Sequence, residues 1–352
     1  MRSTTSIRWS SKAVAITPKS GCGTVIAVLG AGAWGTALAW RLAANGHHVQ
    51  LWVRDAAAAG RMREARENTR YLPGVRLPPL LETTHDHRQA LAYADDILLA
   101  TPSHAFEDVL RLVAGVCNPS RLAWATKGFQ HGSARLLHCL VEDCFGDGCA
   151  RAVLSGPTFA AEVARALPTA VTVAASTEAF AHRLQQLFQA GTFRVYASDD
   201  IAGVEIGGAL KNVLAIAVGI SDGLGFGANA RAALIARGLQ EVYKVAQVYG
   251  GRSETLMGLA GLGDLVLTCT DDQSRNRRFG LLVGGGRSPS EAKAELGLLV
   301  EGTACAREVE RIAAERGLDL PIMGAVADVV AGRAQPMQAV QRLLARQVKS
   351  NF

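Results

Sequence analysis

Val25-Ile26-Ala27-Val28-Leu29-Gly30-Ala31-Gly32-Ala33-Trp34-Gly35 is the stretch that decides the fold. An apolar, β-branched run stops at a glycine, and the spacing that follows is G-x-G-x-x-G. Gly30 permits a tight turn, Gly32 lets backbone approach a pyrophosphate, and Gly35 lets the next helix lie close to the strand. Phosphates then rest on the amides and the positive dipole end at the start of that helix. Glycine triplets also occur in ordinary turns, so the motif needs its context. A helix-forming run, Thr36 to Asn45, ends at Gly46, and a second strand reads His48 to Val53. Strand, turn, helix and strand in this order predict a dinucleotide-binding unit.

The same region also has the order of a targeting signal. Asp55 is the first acid, preceded by Arg2, Arg8, Lys12 and Lys19 and by an apolar stretch from Val25 to Trp40. Basic then apolar is how a secretory signal reads. Discarding that stretch would remove the first strand, so the dinucleotide reading takes precedence. Residues 1–23 are expected to be a disordered or leader-like extension, and an organellar transit leader within 1–20 fits its basic, acid-free composition.

At 352 residues the chain can bury a large core, and two domains are the natural division. Apart from that first stretch, no apolar run approaches the ~20 residues a membrane span needs. The net charge of +6 lies in the ends: four basic residues before Thr24, then Arg333, Arg342, Arg346 and Lys349 after Val330. Without these eight charges the body carries −2, which argues against a nucleic-acid partner. Seven cysteines (22, 117, 139, 144, 149, 269, 305) include no C-x-x-C pair and no clustered histidines. They read as reduced, buried thiols of a cytoplasmic protein, with no metal site.

The first half alternates strand and helix. A charged helical stretch, Ala56 to Asn68, precedes a proline-rich loop with Pro73, Pro78 and Pro79. Strands are expected at Ile97–Ala100, Leu122–Thr126, Ala152–Leu154, Thr169–Ala174 and Phe193–Tyr196. This predicts an α/β fold: a Rossmann-type doubly wound sheet over 24–198, then an all-α domain over 199–346 and a tail, 347–352. Ligands bind such sheets at the carboxyl ends of strands, where Lys127 and the Gly156–Thr158 turn fall. In the second half, Glu205 to Ile220 is apolar almost all round and reads as a central buried helix, and Ala230 to Tyr249 is amphipathic up to Gly250-Gly251.

Lys211 sits midway along the apolar helix, with Gly207 and Gly208 one turn before it on its face, leaving room for a substrate. A lysine buried there is costly unless it snorkels, so a chemical role is the preferred reading. Asp264 follows Gly258-Leu259-Ala260-Gly261-Leu262-Gly263 and opens an apolar helix, Leu265 to Thr268. It reads equally as an N-cap and as the partner of Lys211. In Ser274-Arg275-Asn276-Arg277-Arg278, Ser274 caps a helix whose amides, with Arg275 and Asn276, would bind an anion; a solvated basic face is the plain alternative.

Seven motifs then stand in order: Gly30–Thr36, Ala125–Gly128, Ser155–Ala160, Gly208–Val213, Gly223–Arg231, Gly261–Leu265 and Ser274–Asn276. The chain resembles the soluble NAD(P)-dependent sn-glycerol-3-phosphate dehydrogenases of the bacterial type, from about residue 24 to 346. The resemblance implies interconversion of dihydroxyacetone phosphate and glycerol 3-phosphate, supplying glycerophospholipid synthesis. It makes Lys211 the proton donor and acceptor at the substrate's C2 oxygen, with Lys127 and Asp264 completing the catalytic set. Lys127, Gly156, Thr158, Lys211, Asp264, Ser274, Arg275 and Asn276 match substrate positions. Gly30, Gly32, Ala33, Trp34, Gly35, Arg54, Lys127, Ala160, Arg275, Leu299 and Glu301 match cofactor positions. Leu299 stands where the family often has valine.

A lysine acting as base near neutral pH must lose about three units from ~10.4, at ~1.36 kcal/mol each. Burial and Lys127 push that way, while Asp264 and a substrate phosphate oppose it. The protonated lysine needed for reduction requires no such shift, so reduction is expected to be favoured at neutral pH. Arg54 at the end of the second strand suits the 2′-phosphate of NADP(H), and the adjacent Asp55 suits the ribose hydroxyl of NAD(H); NADPH use through Arg54 is expected. The partners expected are a small phosphate ester and a second copy of the chain. A β-hydroxyacid dehydrogenase acting on a carboxylate, and a non-catalytic NAD(P)-binding sensor, are the competing readings.

Overall fold

The computed structural model describes residues 24–297 and 299–345. The N-terminal extension, Arg346 and the tail lie outside the described residues. Strand β1 (Val25–Leu29) leads to helix α1 (Ala33–Ala44), β2 (His48–Trp52) and α2 (Ala56–Ala65). Next come β3 (Glu67–Asn68), β4 (Leu72–Arg76), β5 (Leu81–Thr84), α3 (His87–Leu91), β6 (Asp96–Leu99), α4 (Ser103–Ala114) and β7 (Arg121–Trp124). The half ends with α5 (Leu137–Phe145), β8 (Ala150–Ser155), α6 (Ala160–Ala164), β9 (Thr169–Ala175), α7 (Glu178–Phe188) and β10 (Phe193–Ser198).

Eight strands form one sheet in the order β10-β9-β8-β7-β6-β1-β2-β5. All neighbours are parallel except β8 and β9. The chain leaves β1 first toward β2 and then returns to β6 on its other side, so β1 sits at the switch point where such sheets hold ligands. β1 is apolar throughout because both its faces are covered: Ile26 and Val28 pack with Leu38, Leu42 and Leu51, while Ala27 and Leu29 pack with Leu99 and Phe106.

Two expectations fail between Ala56 and Thr84. The helix stops at Ala65 rather than Asn68, because Arg66 takes a left-handed conformation (φ 52°) and its guanidinium reaches the carbonyls of Leu77, Pro78 and Leu81. The supposed proline loop contains the antiparallel pair β3–β4, with Pro73 inside β4, and then the parallel strand β5 beside β2.

After Ser198 the described residues are helical. Helices α8 (Ile201–Gly223), α9 (Gly227–Val248) and α10 (Ser253–Met257) precede a π-helical turn at Leu259–Gly263, and α11 (Asp264–Thr270) and α12 (Arg275–Gly284) follow. Then come α13 (Pro289–Leu296), α14 (Glu301–Arg316), α15 (Pro321–Val330) and α16 (Pro336–Leu344). α8 is the axis of this half, buried from Gly203 to Ser221 and capped by the Asp200 side chain. Contrary to the sequence reading, α8 is long and apolar enough to cross a membrane, but 89% of that window is buried in protein, as in a core helix.

α12 packs on α8 through facing glycines. A β-carbon on Gly219 would lie 2.9 Å from the Gly280 Cα, and one on Gly223 would lie 3.0 Å from the Gly284 Cα. Two backbones this close cannot carry side chains at the crossing. The first turn of α12 is thereby held beside Asn212, the residue after Lys211.

Candidate active site

Lys127 enters from the loop that leaves the carboxyl end of β7, Lys211 from the middle of α8, and Asp264 from the start of α11. The π-helical turn delivers Asp264: the Gly263 N–H donates to the Gly258 carbonyl five residues back, at 3.1 Å. A side chain on Gly207 would strike the Ala260 carbonyl of that turn at 2.6 Å, and one on Gly208 would lie 2.9 Å from the Ser155 hydroxyl. These two glycines therefore make room for the turn, Ser155 and the Lys127 stem rather than for a substrate.

The Asp264 side chain is 1% exposed and lies between the two lysines. Its Oδ2 accepts from the Lys127 ammonium at 2.6 Å, and its Oδ1 accepts from the Lys211 ammonium. It does not cap its helix, so of the two readings of Asp264 the structure shows the lysine partner. Burial, the largest influence, together with the Lys127 charge outweighs Asp264 and brings Lys211 down to about 7. Burial works to raise Asp264, but the two ammonium groups together hold it below its usual range. The result is a carboxylate that stays ionised beside a lysine able to give or take a proton at neutral pH.

A cleft opens beside this trio, lined by Ser103, Lys127, His131, Asn212, Glu301 and Cys305. Glu301 is the first residue of α14, and the adjacent Gly302 N–H donates to Asn276 Oδ1 at 2.9 Å. The Asn276 amide donates in turn to Asn212 Oδ1 at 2.9 Å, so its side chain is spent on joining α8, α12 and α14. Ser274 caps α12 by accepting from the Arg277 N–H. Arg275 is exposed and makes no ion pair among the described residues, whereas Arg277 is buried and paired with Asp222 and Asp272. The basic run thus divides into an exposed guanidinium at Arg275, a paired one at Arg277 and a half-buried one at Arg278, whose Nε has no partner among the described residues.

At the glycine turn, Gly30 has φ +119° and faces the Ala100 carbonyl, and a side chain on Gly35 would collide with the Gly30 carbonyl. Gly32 has nothing within 4 Å of where its β-carbon would be, so its backbone is open to a ligand. Ala33 and Trp34 begin α1, and the Trp34 indole N–H is buried with no partner among the described residues. A crowded turn, an open second glycine and an orphaned donor suit a bound pyrophosphate, and the site fits a nicotinamide dinucleotide. Ala160 starts α6 against the same half's core, and Leu299 is exposed. Gly156 lies against the backbone of β9, and the Thr158 hydroxyl donates to the Gly156 carbonyl. Asp55 caps α2 by accepting from the Ala58 N–H, and Arg54 beyond β2 is exposed and makes no ion pair among the described residues.

Three residues went unread as site components. Asn68 holds the Ala31 carbonyl and the Thr36 hydroxyl beside the glycine turn, a contact made by the unexpected hairpin. Ser155 is buried beside the Lys127 stem with no partner among the described residues, and Asn212 belongs to the network above. Ser155 and Asn212 both lie inside motifs that the sequence displays, but nothing in their type distinguishes them there.

Known proteins match this arrangement along its length. A family model described as the NAD-dependent glycerol-3-phosphate dehydrogenase N-terminus matches residues 25–181, and its C-terminal counterpart matches 200–341. The chain is 53% identical over 328 residues to the glycerol-3-phosphate dehydrogenase (NAD(P)+) of Thioalkalivibrio sulfidiphilus, covering 93% of this chain and 98% of that one. It is 50% identical to the enzyme of the same name from Xanthomonas campestris, covering 93% and 96%. The solved glycerol-3-phosphate dehydrogenase of Coxiella burnetii superposes with a TM-score of 0.89 at 45% identity, covering 92% and 99%. A D-mandelate dehydrogenase in complex with NADH, at 16% identity and a TM-score of 0.55, shares the fold alone.

Proposed function

From the premise that the chain belongs to the NAD-dependent glycerol-3-phosphate dehydrogenases, we propose how its own residues divide the work of that reaction. The enzyme interconverts dihydroxyacetone phosphate and sn-glycerol 3-phosphate with NAD(P)H. When bound, the nicotinamide supplies or accepts the hydride at C2. Lys211 gives a proton to the C2 oxygen in reduction and takes it back in oxidation. Lys127 places a second positive charge beside the same oxygen, and Asp264 holds both ammonium groups in register without consuming the proton. The substrate phosphate lies on Arg275 and the first-turn amides of α12 around Asn276, with Ser274 closing that turn. Gly156 and Thr158 bound the other side of the substrate. Gly30, Gly32, Ala33, Trp34, Gly35, Ala160, Leu299 and Glu301 hold the dinucleotide, and Arg54 takes the 2′-phosphate of NADPH.

The single observation that carries this reading is the buried Asp264 bridging Lys127 and Lys211. Reduction needs protonated Lys211 and oxidation needs the neutral form. A lysine near 7 therefore makes reduction dominate below neutral pH and fade above it. We further propose a cytoplasmic homodimer whose product feeds glycerophospholipid synthesis, a stoichiometry that light scattering reads directly. The test of function is oxidation of NADPH, and separately NADH, on adding dihydroxyacetone phosphate. Turnover that Lys211→Ala abolishes supports the assignment. Full turnover by that variant, or none by the folded wild type, contradicts it.

A further inference from the structure

A second buried carboxylate lies apart from the cleft. Glu205 belongs to α8, six residues before Lys211, which is about 9 Å of helix rise. Its side chain is 1% exposed and accepts three hydrogen bonds from two other elements. The Trp124 indole N–H reaches Oε1 at 3.2 Å, and the His138 backbone N–H reaches the same oxygen at 3.1 Å. His138 Nδ1 meets Oε2 at 2.6 Å. Trp124 ends β7, three residues before Lys127. His138 is the second residue of α5, a helix that has no side-chain cap of its own, so Glu205 supplies one from α8.

We propose that Glu205 is a positioning residue for the reaction: its carboxylate ties the end of β7, three residues before Lys127, to the helix that carries Lys211, and so sets the spacing of both lysines about Asp264. This rests on the reading of Lys127 and Lys211 given above. A buried carboxylate is costly to desolvate, so its presence between α8 and the sheet calls for a role beyond filling space. Burial, the largest influence, pushes the Glu205 carboxyl above its usual range, His138 and the Trp124 indole oppose it, and the imidazole at 2.6 Å is the group placed to meet its charge. Burial opposes the charged His138 most, but Cys139 and Glu205 outweigh it and push it up to about 10. No atom of this cluster is part of the lysine–aspartate contact, so it acts only through β7 and α8.

The test uses the full chain with two conservative variants, Glu205→Gln and Trp124→Phe, each compared with wild type per cofactor-binding site. Loosening the tie lets Lys127 and Lys211 separate and admits water, and both effects favour the charged lysine. Lys211 is faced by Asp264 and Lys127, with Cys269 of α11 nearby, and none of these is altered. The expected result is a fall in kcat of about tenfold to a hundredfold, with the midpoint of the oxidative pH profile moved upward. A purely structural role lowers the number of binding sites and leaves kcat per site and the midpoint unchanged; that result, or a lowered midpoint, overturns the proposal. Should Glu205→Gln not fold, Trp124→Phe, which removes one N–H and keeps an aromatic ring, decides alone. Lys211→Ala run alongside separates the claims: retained turnover there overturns the lysine reading and this one with it. A dead Lys211→Ala beside an unaltered Glu205→Gln overturns only the tie.

Discussion

Replacing Asp264 with asparagine keeps the shape of the side chain and removes the charge shared by two ammonium groups. The Lys127 contact is 2.6 Å, and at an effective dielectric of about 20 two unit charges at that separation attract by about 6 kcal/mol. The Lys211 contact is of the same order. Water entering the site returns part of this, yet a quarter of it, about 1.5 kcal/mol, exceeds the ~1.36 kcal/mol of one pKa unit. Lys211 at about 7 would then fall to about 6 or below, because Asp264 is the group that raises it. At pH 7 its protonated share drops from about one half to about one tenth, so reduction of dihydroxyacetone phosphate slows about fivefold from protonation alone. The assay is kcat for reduction against pH at saturating cofactor, wild type beside Asp264→Asn. The falling limb should move toward acid by about one unit or more. A midpoint that stays in place or rises refutes the electrostatic account of the trio.

Other outcomes follow from the same contacts. Arg54→Ala should raise the KM for NADPH by about tenfold and leave that for NADH nearly unchanged, since an exposed charge-assisted bond to the 2′-phosphate is lost; steady-state kinetics with both cofactors decide it. Lys211 is depressed in the folded state, so the unfolded chain binds more protons between about 7 and its free value of ~10.4, and wild-type stability gains from this group as pH rises through that window. Lys211→Met should therefore melt higher than wild type at pH 7, by roughly 3–5 kcal/mol at most, with the gap closing as pH is raised; a gap that does not change with pH contradicts the shift. Gly35→Ala drives a methyl into the Gly30 carbonyl and should cost about 1–3 kcal/mol and weaken cofactor binding. Gly60→Ala in α2 meets open space and should stabilise by about 0.5–1 kcal/mol, so thermal melts of the pair check the packing argument.

The glycine turn and the parallel strands other than β5 were legible because they rest on local chemistry, above all an apolar run that stops at turn residues. The hairpin β3–β4 was not. Its break at Arg66 is a non-glycine residue held left-handed by three distant carbonyls, which no neighbour in sequence announces. The pattern changes from strands to helices after Ser198, where the Asp200 side chain caps α8. Within the site, the lysine buried in an apolar helix betrayed itself by its cost. Asp264 stayed ambiguous because an N-cap and a lysine partner have the same spacing, and only the π-helical turn that aims it separates them. Gly207 and Gly208 misled because a glycine beside a reactive group can admit a ligand or a neighbouring backbone. Gly219, Gly223, Gly280 and Gly284 show the second use four times over.

The central claim is that one lysine carries the proton in both directions. It is tested most directly by measuring wild-type kcat for reduction and for oxidation across the pH range. The account predicts mirror-image limbs, reduction falling and oxidation rising about a common midpoint near 7. Limbs without a shared midpoint, or the same limbs surviving in Lys211→Ala, would contradict it.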